Sequence, residues 1–497
     1  MTTSRNDDFQ ATRKPVFYLL GFAAIIKISV LLISGPSFHL DSNGYNAYAS
    51  AILDHGRAFA PVVWGAEASP LFIFRFPGYP LVLAGAKLVS AEHYAFVTVI
   101  LQCVLTGVAV YLIYRVAERL FLSSIPALLV AGLYLFSESM LYDNSILSDS
   151  IYASLFNIVL FGLVGHLIGC WRLPLGRTAG LAALWGCSIL VRDNGLYFTF
   201  LPIILTIAIA VRSEGPYVRR IGHFLIFVLV TSGIIGGYIA LNWHRTGEAF
   251  FSITGLENWL HPVFDMARHG YAQPFGSEDL VSSIVRETMP DYGFEAQVQL
   301  LRKLHEDCQC TPTQVQSVVF AKYLSAVTAH PIAYLRVIWG NFSRLGSVIA
   351  DPVWTVNEFI QQGTPVGRIF PGLSTKSIVA LVQDFSLPRL VLILFMTIST
   401  VLSTAAFWLF IFGIPAMVAS EWFGGKRIND RLALMSFFWL AFMSVAIAFS
   451  MVRFEMRYAL PVIPAALVGV MYILQRLSQL KIFHRSRNGV LSMTRRA

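Results

Sequence analysis

The sequence predicts an all-α polytopic membrane protein with a mixed extracytoplasmic domain. Hydrophobic residues make up 56% of the 497 positions, charged residues only 13%, and apolar segments of membrane-spanning length recur along the chain. Soluble domains carry about 25% charged residues, so this chain has too few charged side chains to cover a soluble surface. The same composition excludes a disordered chain, a collagen-like chain and a small disulfide-stapled domain.

Ten apolar segments have about the length that a helix needs to cross the hydrocarbon layer. They are 16–34, 95–114, 124–137, 147–169, 178–192, 196–212, 220–241, 388–417, 431–452 and 458–475. The first follows Arg13 and Lys14 without a clear small-residue cleavage site, which predicts an uncleaved anchor. The segment Gly78–Val89 is too short to span, and we expect a re-entrant or interfacial helix there.

The basic residues fix the predicted orientation. With the N-terminus in the cytoplasm, every predicted inner connection carries Lys or Arg, as the positive-inside rule requires. The net charge of +9 is therefore a topology signal, and we predict no nucleic-acid partner. Three features then lie outside: a loop over 34–89, a loop over 137–148 and a long stretch over 242–387.

The polarity of these segments predicts three parts. Residues 1–241 form an N-terminal transmembrane module with catalytic outer loops, and residues 242–387 form an extracytoplasmic or periplasmic domain. Residues 388–497 form the C-terminal transmembrane helices and a basic cytoplasmic tail. The 242–387 stretch has mixed polarity, eight prolines and helix-like runs at 315–327 and 332–347. No internal repeat of the kind found in inverted-repeat transporters is visible.

Acidic residues collect in the predicted outer loops. Asp41 follows the first span, and Asp143 and Asp149 flank the start of the fourth. Ionisable groups at the bilayer edge are costly and indicate a functional site, although Asp41 and Asp149 could also cap the helices that follow them. Lys27 lies within the first span, where it either pairs with a carboxylate or extends toward the cytoplasm.

Several arginines also lie on the predicted outer side, against the positive-inside pattern. Arg75 precedes the short helix, Arg192 lies in a tight hairpin, and Arg453, Arg457 and Tyr458 precede the last span. Arg75 could simply extend to lipid phosphate. Together, arginines and carboxylates facing one outer cavity fit an anionic lipid headgroup that is bound through its phosphate.

The motifs that carry these residues resemble, in order and on the expected side, those of the GT-C membrane glycosyltransferases. The most similar subgroup contains the bacterial relatives of dolichyl-phosphate-mannose protein mannosyltransferases and the lipid A aminoarabinose transferase. The matching motifs are Asp41 with Tyr45 and Tyr48, Arg75-Phe-Pro77-Gly-Tyr79-Pro80-Leu, Leu147-Ser148-Asp149, Leu190-Val-Arg192-Asp-Asn, Asn242 with Gly247, Gly255 and Asn258, and Arg457-Tyr458-Ala-Leu-Pro461 with Pro464. The chain departs from the family at Asp41-Ser, where many relatives carry paired acids, and at Asp149, where Glu is usual.

This resemblance implies a fold of about 10–12 transmembrane helices in a bacterial inner membrane, with the active site facing the periplasm. It implies transfer of a sugar from a polyprenyl-phosphate donor to a lipid, glycan or protein acceptor. Asp41 would be the base, and Asp149 would position the acceptor or support Asp41. The substrate-binding candidates are Arg75, Tyr79, Asp143, Arg192, Arg453, Arg457 and Tyr458. No cofactor is assigned; a divalent cation stays open, with Asp41 and Asp149 as its ligands.

Two other function classes stay open at this point. A transporter or flippase of lipid-linked sugars would also need intramembrane charges and outward-facing arginines. A GT-C glycan ligase or polymerase would share the fold and similar arginines. The sequence contains no P-loop, Rossmann glycine fingerprint, HExxH or GxSxG motif, which argues against a nucleotide-driven mechanism.

Overall fold

The protein is described by a computed structural model, and its described residues are predominantly helical. The described ranges are 13–54, 56–61, 75–137, 139–212, 216–253, 255–288, 300, 303–304, 310–344, 387–425, 427–453 and 456–494. The helices within them, numbered in chain order, are α1 Arg13–Ser34, α2 Leu40–Leu53, α3 Gly78–Val89, α4 Tyr94–Phe121, α5 Ser124–Leu135, α6 Ser139–Asp143, α7 Ser148–Leu167, α8 Leu175–Val191, α9 Asn194–Tyr197, α10 Phe200–Arg212, α11 Tyr217–Thr246, α12 Gly255–Arg268, α13 Leu280–Thr288, α14 Pro312–Ala329, α15 Pro331–Arg344, α16 Leu387–Phe423, α17 Asp430–Ser450 and α18 Ile463–Thr494. The predicted all-α polytopic class is confirmed.

Each of the ten predicted spans coincides with a helix, but they differ in length. Among the described residues, six helices are long and apolar enough to cross a membrane, and a seventh span is counted if α14 and α15 are taken together. The helices α3, α5, α8 and α10 are apolar but shorter. Helix α5 ends early because of local hydrogen bonds: the hydroxyls of Ser137 and Ser139 both donate to the Tyr134 carbonyl at 2.7 Å. These bonds satisfy a terminal carbonyl where the helix ends.

Helix α7 forms the centre of the bundle. Its residues from Ser148 to Gly165 are all buried, and it packs against α4, α8 and α10. Large aromatic side chains fill the contacts, with Phe156 against Trp185 and Phe161 against Phe438 at ring-centroid distances of 5.3 and 5.4 Å. A helix that is apolar on all sides must be covered by neighbours, and this burial fixes the position of Asp149 in its first turn.

A second hydrophobic core lies outside the bundle, in the part of the chain that follows α11. It draws its buried residues from 250–337, and α12, α14 and α15 pack together in it. The predicted helical runs correspond to α14 and α15, which meet at an angle of 103°. The Asn341 amide donates to the Ser450 carbonyl at 3.1 Å, which attaches α15 to the end of α17. Residues 345–386 of the predicted domain lie outside the described residues.

Lys27 pairs with a carboxylate inside the bundle. Its ammonium group contacts Asp143, which lies in the outer connection before α7, and both side chains are almost fully buried. The Asp143 carboxylate also accepts hydrogen bonds from the hydroxyls of Thr106, at 2.8 Å, and Ser150. A buried charge must be paired and hydrogen-bonded to be tolerated, so this pair attaches α1 to α4 and to the start of α7.

Helix α3 begins in direct contact with the backbone of α8. A Cβ atom on Gly78 would lie 2.5 Å from the Leu190 carbonyl carbon and 2.6 Å from the Val191 nitrogen. Only glycine allows such an approach. The contact lies between Arg75, which precedes α3, and Arg192, which follows α8. It therefore holds the segments that carry these two arginines next to each other.

Replacement of Lys27 by methionine should destabilise the protein by about 3–5 kcal/mol, because it leaves the Asp143 charge buried without its partner. The double variant Lys27→Met/Asp143→Asn should be more stable than Lys27→Met alone, since it removes the uncompensated charge. Thermal unfolding of wild type, Lys27→Met, Asp143→Asn and the double variant in one detergent measures the coupling energy between the two side chains. Additive effects of the two substitutions would show that the pair is not energetically coupled.

Gly78→Ala should destabilise the protein by about 1–3 kcal/mol, because the added methyl group meets backbone atoms that cannot move independently. Gly85→Ala is the matched control within the same helix, where a Cβ meets no atom within 4 Å. There the change should be neutral or slightly stabilising, since alanine favours helix. Equal unfolding temperatures of the two variants would contradict the close packing of α3 on α8.

Candidate functional site

Two connections that the sequence predicts on the outer side are joined at one end of the bundle. The Ser37 amide donates to the Asn144 carbonyl at 2.9 Å, and the Ile146 amide donates to the Ser37 carbonyl at 2.8 Å. The Ser42 hydroxyl also donates to the Ile146 carbonyl at 2.8 Å. These bonds hold the first turn of α2 beside the first turn of α7. Asp41 and Asp149 are thereby brought to the same region.

Five charged side chains meet there and form the arginine–carboxylate cluster: Asp41, Asp149, Arg75, Arg192 and Arg457. Asp41 accepts from Arg75 Nη2 at 2.8 Å and from Arg457 Nη1 at 3.1 Å. Arg457 Nη1 also lies 3.8 Å from Asp149 Oδ2, and Arg192 Nη1 binds the other oxygen of Asp149. Three positive and two negative groups leave one net positive charge.

The cluster is graded in its access to solvent. The exposed fraction of the side chain is 34% for Asp41, 28% for Arg75 and 21% for Arg457, but only 15% for Arg192 and 2% for Asp149. A ligand that enters from the open side therefore meets Asp41, Arg75 and Arg457 first. Asp149 lies behind them, where it contacts the guanidinium groups of Arg192 and Arg457.

Two tyrosines support the guanidinium groups. The Arg75 guanidinium lies 4.7 Å from the ring centroid of Tyr45, and Tyr458 has Arg192 at 4.8 Å and Arg457 at 5.5 Å. A cation held over a ring face is stabilised and loses rotational freedom. The Tyr45 hydroxyl also makes a 3.0 Å hydrogen bond with the Ser148 hydroxyl, which links this support to the start of α7.

Tyr79 lies beneath Tyr45 rather than at the surface of the cluster. It is fully buried, its ring meets that of Tyr45 edge-on at 5.0 Å, and its hydroxyl donates to Gln102 at 3.1 Å. The Gln102 amide in turn donates to the carbonyls of Asp143 and Ser145 at 2.8 and 2.9 Å. Gln102 is thus a buried polar residue of α4 that connects this helix to α3 and to the connection before α7.

The structure does not bring Asp143 and Arg453 to the cluster. The Asp143 carboxylate is buried against Lys27, Thr106 and Ser150. Arg453 lies near His261 of α12; burial, together with the charges of Arg453 and Arg268, lowers the pKa of His261 to about 3. The remaining sequence-predicted residues lie in the cluster or in its support.

Charge interactions keep Asp41 ionised. Burial alone would raise the pKa of the Asp41 carboxyl, but the adjacent Arg75 and Arg457 charges outweigh it and lower the pKa to about 2. At neutral pH the group is therefore a carboxylate that forms ion pairs with two guanidinium groups. A proton acceptor with so low a pKa is a weak base, and its base strength increases only if these arginines are drawn to another anion.

His39 belongs to the surroundings of the cluster, although the sequence pattern indicates no role for it. Burial and the Arg457 charge lower its pKa, while Asp149 and Asp41 oppose this change. The ring is therefore predominantly neutral at physiological pH. Its position two residues before Asp41 was the available signal, but a single histidine beside a helix start carries little information.

Arg245 attaches the first outer loop to α11. It is buried to 1% exposure and donates to the Tyr48 hydroxyl at 3.3 Å and to the Ala58 carbonyl at 3.1 Å. Asn242, one turn earlier in the helix, accepts a further bond from it. This contact holds α2, and with it Asp41, against the bundle. The arginine's position in the last turn of a span gave no indication of these partners.

The donor set of the cluster fits an anion better than a metal ion. Both carboxylates are already bound to guanidinium groups, and a cation would have to displace positive charge to reach them. Within the described ranges no three His, Cys, Asp or Glu side chains lie close enough to hold a metal ion. Arginine forks match the oxygens of phosphate in geometry and charge.

Comparison with known proteins gives a distant structural likeness. No family model matches the sequence, and no curated protein matches it either. The chain is similar to the solved structure of ArnT from Cupriavidus metallidurans bound to undecaprenyl phosphate, with 13% identity and a TM-score of 0.38. The alignment covers 92% of this chain and 77% of that chain.

Proposed function

We propose that the protein is a GT-C-type glycosyltransferase that moves a sugar from a polyprenyl-phosphate donor to an acceptor at the outer membrane face. The observation that carries this proposal is the convergence of three arginines on two carboxylates at one end of a helical membrane bundle. The motif order in the sequence supports the same reaction class.

The charge of the cluster suits the leaving group of this reaction. A polyprenyl-phosphate sugar carries one negative charge, and its phosphate gains a second when the bond between the anomeric carbon and the phosphate oxygen breaks. A site with net positive charge stabilises the departing phosphate more strongly than the intact donor. Such a difference lowers the barrier to reaction. Arg75 and Arg457, the more exposed arginines, would contact the phosphate directly.

Asp41 would accept the proton of the acceptor hydroxyl as that oxygen bonds to the anomeric carbon. In the free protein its two arginines hold its pKa at about 2. When Arg75 and Arg457 form ion pairs with the donor phosphate instead of with Asp41, the pKa of Asp41 rises and its base strength increases. Donor binding would therefore activate the base. The 34% exposure of the Asp41 side chain leaves room for an acceptor.

The other predicted residues would hold the arginines in place or act through neighbouring side chains. Asp149 would orient Arg192 and Arg457, and Tyr458 would fix their planes. Tyr79 would act through Tyr45, and Asp143 through Lys27, without contact to the donor. The separate core over 250–337 supports the proposal that the 242–387 region is an extracytoplasmic domain, and the acceptor would be a lipid, a glycan or a protein.

The deciding experiment uses purified protein in nanodiscs with a radiolabelled polyprenyl-phosphate sugar and a bacterial envelope extract as the source of acceptor. We expect label to move from the donor to a component of the extract. In sealed proteoliposomes, movement of labelled donor between leaflets without transfer would instead indicate a flippase. Transfer of long preassembled glycans in preference to a single sugar would indicate a ligase.

Arg457→Gln should reduce sugar transfer about 10²–10³-fold, the usual cost of removing one charge-stabilising donor from a reaction centre. The matched control is Arg453→Gln, which removes the same charge four residues earlier, beside His261. That control should keep transfer within about threefold of wild type. Equal losses in both variants would show that net outer charge, not the cluster, governs activity.

Asp41→Asn should reduce transfer by about 10²–10⁴-fold, because general-base catalysis contributes that much. Binding of undecaprenyl phosphate should be unchanged or tighter, since Arg75 and Arg457 are released from the carboxylate. Asp54→Asn, an exposed change just after the same helix, is the control. Turnover at the wild-type rate in Asp41→Asn would contradict the base assignment, and loss of lipid binding would indicate a structural role.

A further inference from the structure

A cavity lies at the opposite end of the bundle from the arginine–carboxylate cluster. It has a volume of about 620 Å³ and is bounded by the ends of α4, α7 and α10 and by the start of α17. Helix α7 begins at the cluster and ends at this cavity, and its 20 residues span about 30 Å. The cavity therefore lies at the other membrane boundary, on the side predicted to be cytoplasmic.

The cavity has an apolar wall and a cationic mouth. Leucine and phenylalanine side chains from four helices form the wall, among them Leu120, Leu167 and Phe437. Arg119, Arg212 and Arg431 lie at the mouth together with Asp430. Three positive charges and one negative charge leave a net charge of +2. Arg212 and Asp430 form an exposed ion pair at 2.7 Å, so the excess positive charge belongs to Arg119 and Arg431.

The cavity also opens sideways toward the lipid. Leu122 and Ile204 are among its lining residues and are 71% and 39% exposed, although both are large apolar side chains. In a membrane such side chains face acyl chains rather than water. A soluble anion would fill only the mouth, whereas a lipid places a phosphate at the mouth and an acyl chain along the wall. Cavities of about 300–1,000 Å³ accommodate small ligands.

We propose that this cavity binds an anionic diacyl phospholipid of the inner leaflet, with its phosphate between Arg119 and Arg431 and one acyl chain against Leu120, Leu167 and Phe437. Basic pockets between transmembrane helices on the cytoplasmic side favour such headgroups through charge. The site is separate from sugar transfer, because it shares no residue with the arginine–carboxylate cluster.

Native mass spectrometry of the delipidated full-length protein tests this site, with phosphatidylglycerol added back and phosphatidylcholine as the zwitterionic reference. We expect wild type to retain phosphatidylglycerol preferentially. Arg119→Gln/Arg431→Gln should weaken that binding about thirtyfold. Ala208→Phe, which fills the wall without changing charge, should also weaken it. Arg177→Gln, an exposed arginine on the same predicted side but outside the cavity, should bind as wild type does.

Each other outcome overturns the proposal. Equal retention of both lipids by wild type would remove the charge recognition, and equal affinity of wild type and Arg119→Gln/Arg431→Gln would place the lipid elsewhere. Unchanged binding in Ala208→Phe would exclude the wall as the seat of the acyl chain. Displacement of phosphatidylglycerol by a lower concentration of undecaprenyl phosphate would assign the cavity to polyprenyl lipids instead. Circular dichroism melts establish that each variant is folded.

Discussion

The bridge that Arg457 makes between Asp41 and Asp149 is the constraint on which this end of the helical bundle depends. One guanidinium nitrogen lies 3.1 Å from the first carboxylate and 3.8 Å from the second. The three residues come from the first loop, the start of the central helix and the turn before the last helix. Because these segments are distant in sequence, their packing holds the charges together. The Asp149 side chain is 98% buried, so its position is fixed by the surrounding packing.

The sequence predicted which charges share this end, and it did so through topology rather than through motifs. Alternating spans and basic inner loops place the segments around Asp41, Asp149, Arg192 and Arg457 on one side of the membrane. Groups confined to one boundary of a narrow bundle have little room to lie apart. Predicting the membrane side of these segments was therefore nearly enough to predict that their charged residues lie close together. All ten predicted spans also fall on helices, because long apolar segments leave few alternatives in lipid.

The partners of individual side chains could not be predicted, because they depend on packing between distant segments. Asp143 lies only six residues before Asp149, yet its carboxylate turns into the bundle to meet Lys27. Arg453 lies only four residues before Arg457, yet its charge acts on His261 of α12. Gln102, a polar residue within an apolar helix, accepts from the Tyr79 hydroxyl of α3 and donates to the carbonyls of Asp143 and Ser145. The spacing of residues along the sequence does not indicate in which direction these side chains point.

The buried pair of Lys27 and Asp143 has a consequence for biosynthesis. The lysine enters the membrane with the first helix, but its partner is synthesised 116 residues later. A lone ammonium group facing lipid is costly, so the first helix has no stable final position until the following two spans and the loop after them have emerged. Early release of that helix by the translocation machinery would leave the charge exposed to acyl chains. Assembly of the N-terminal helices is thus tied to one ion pair that closes late.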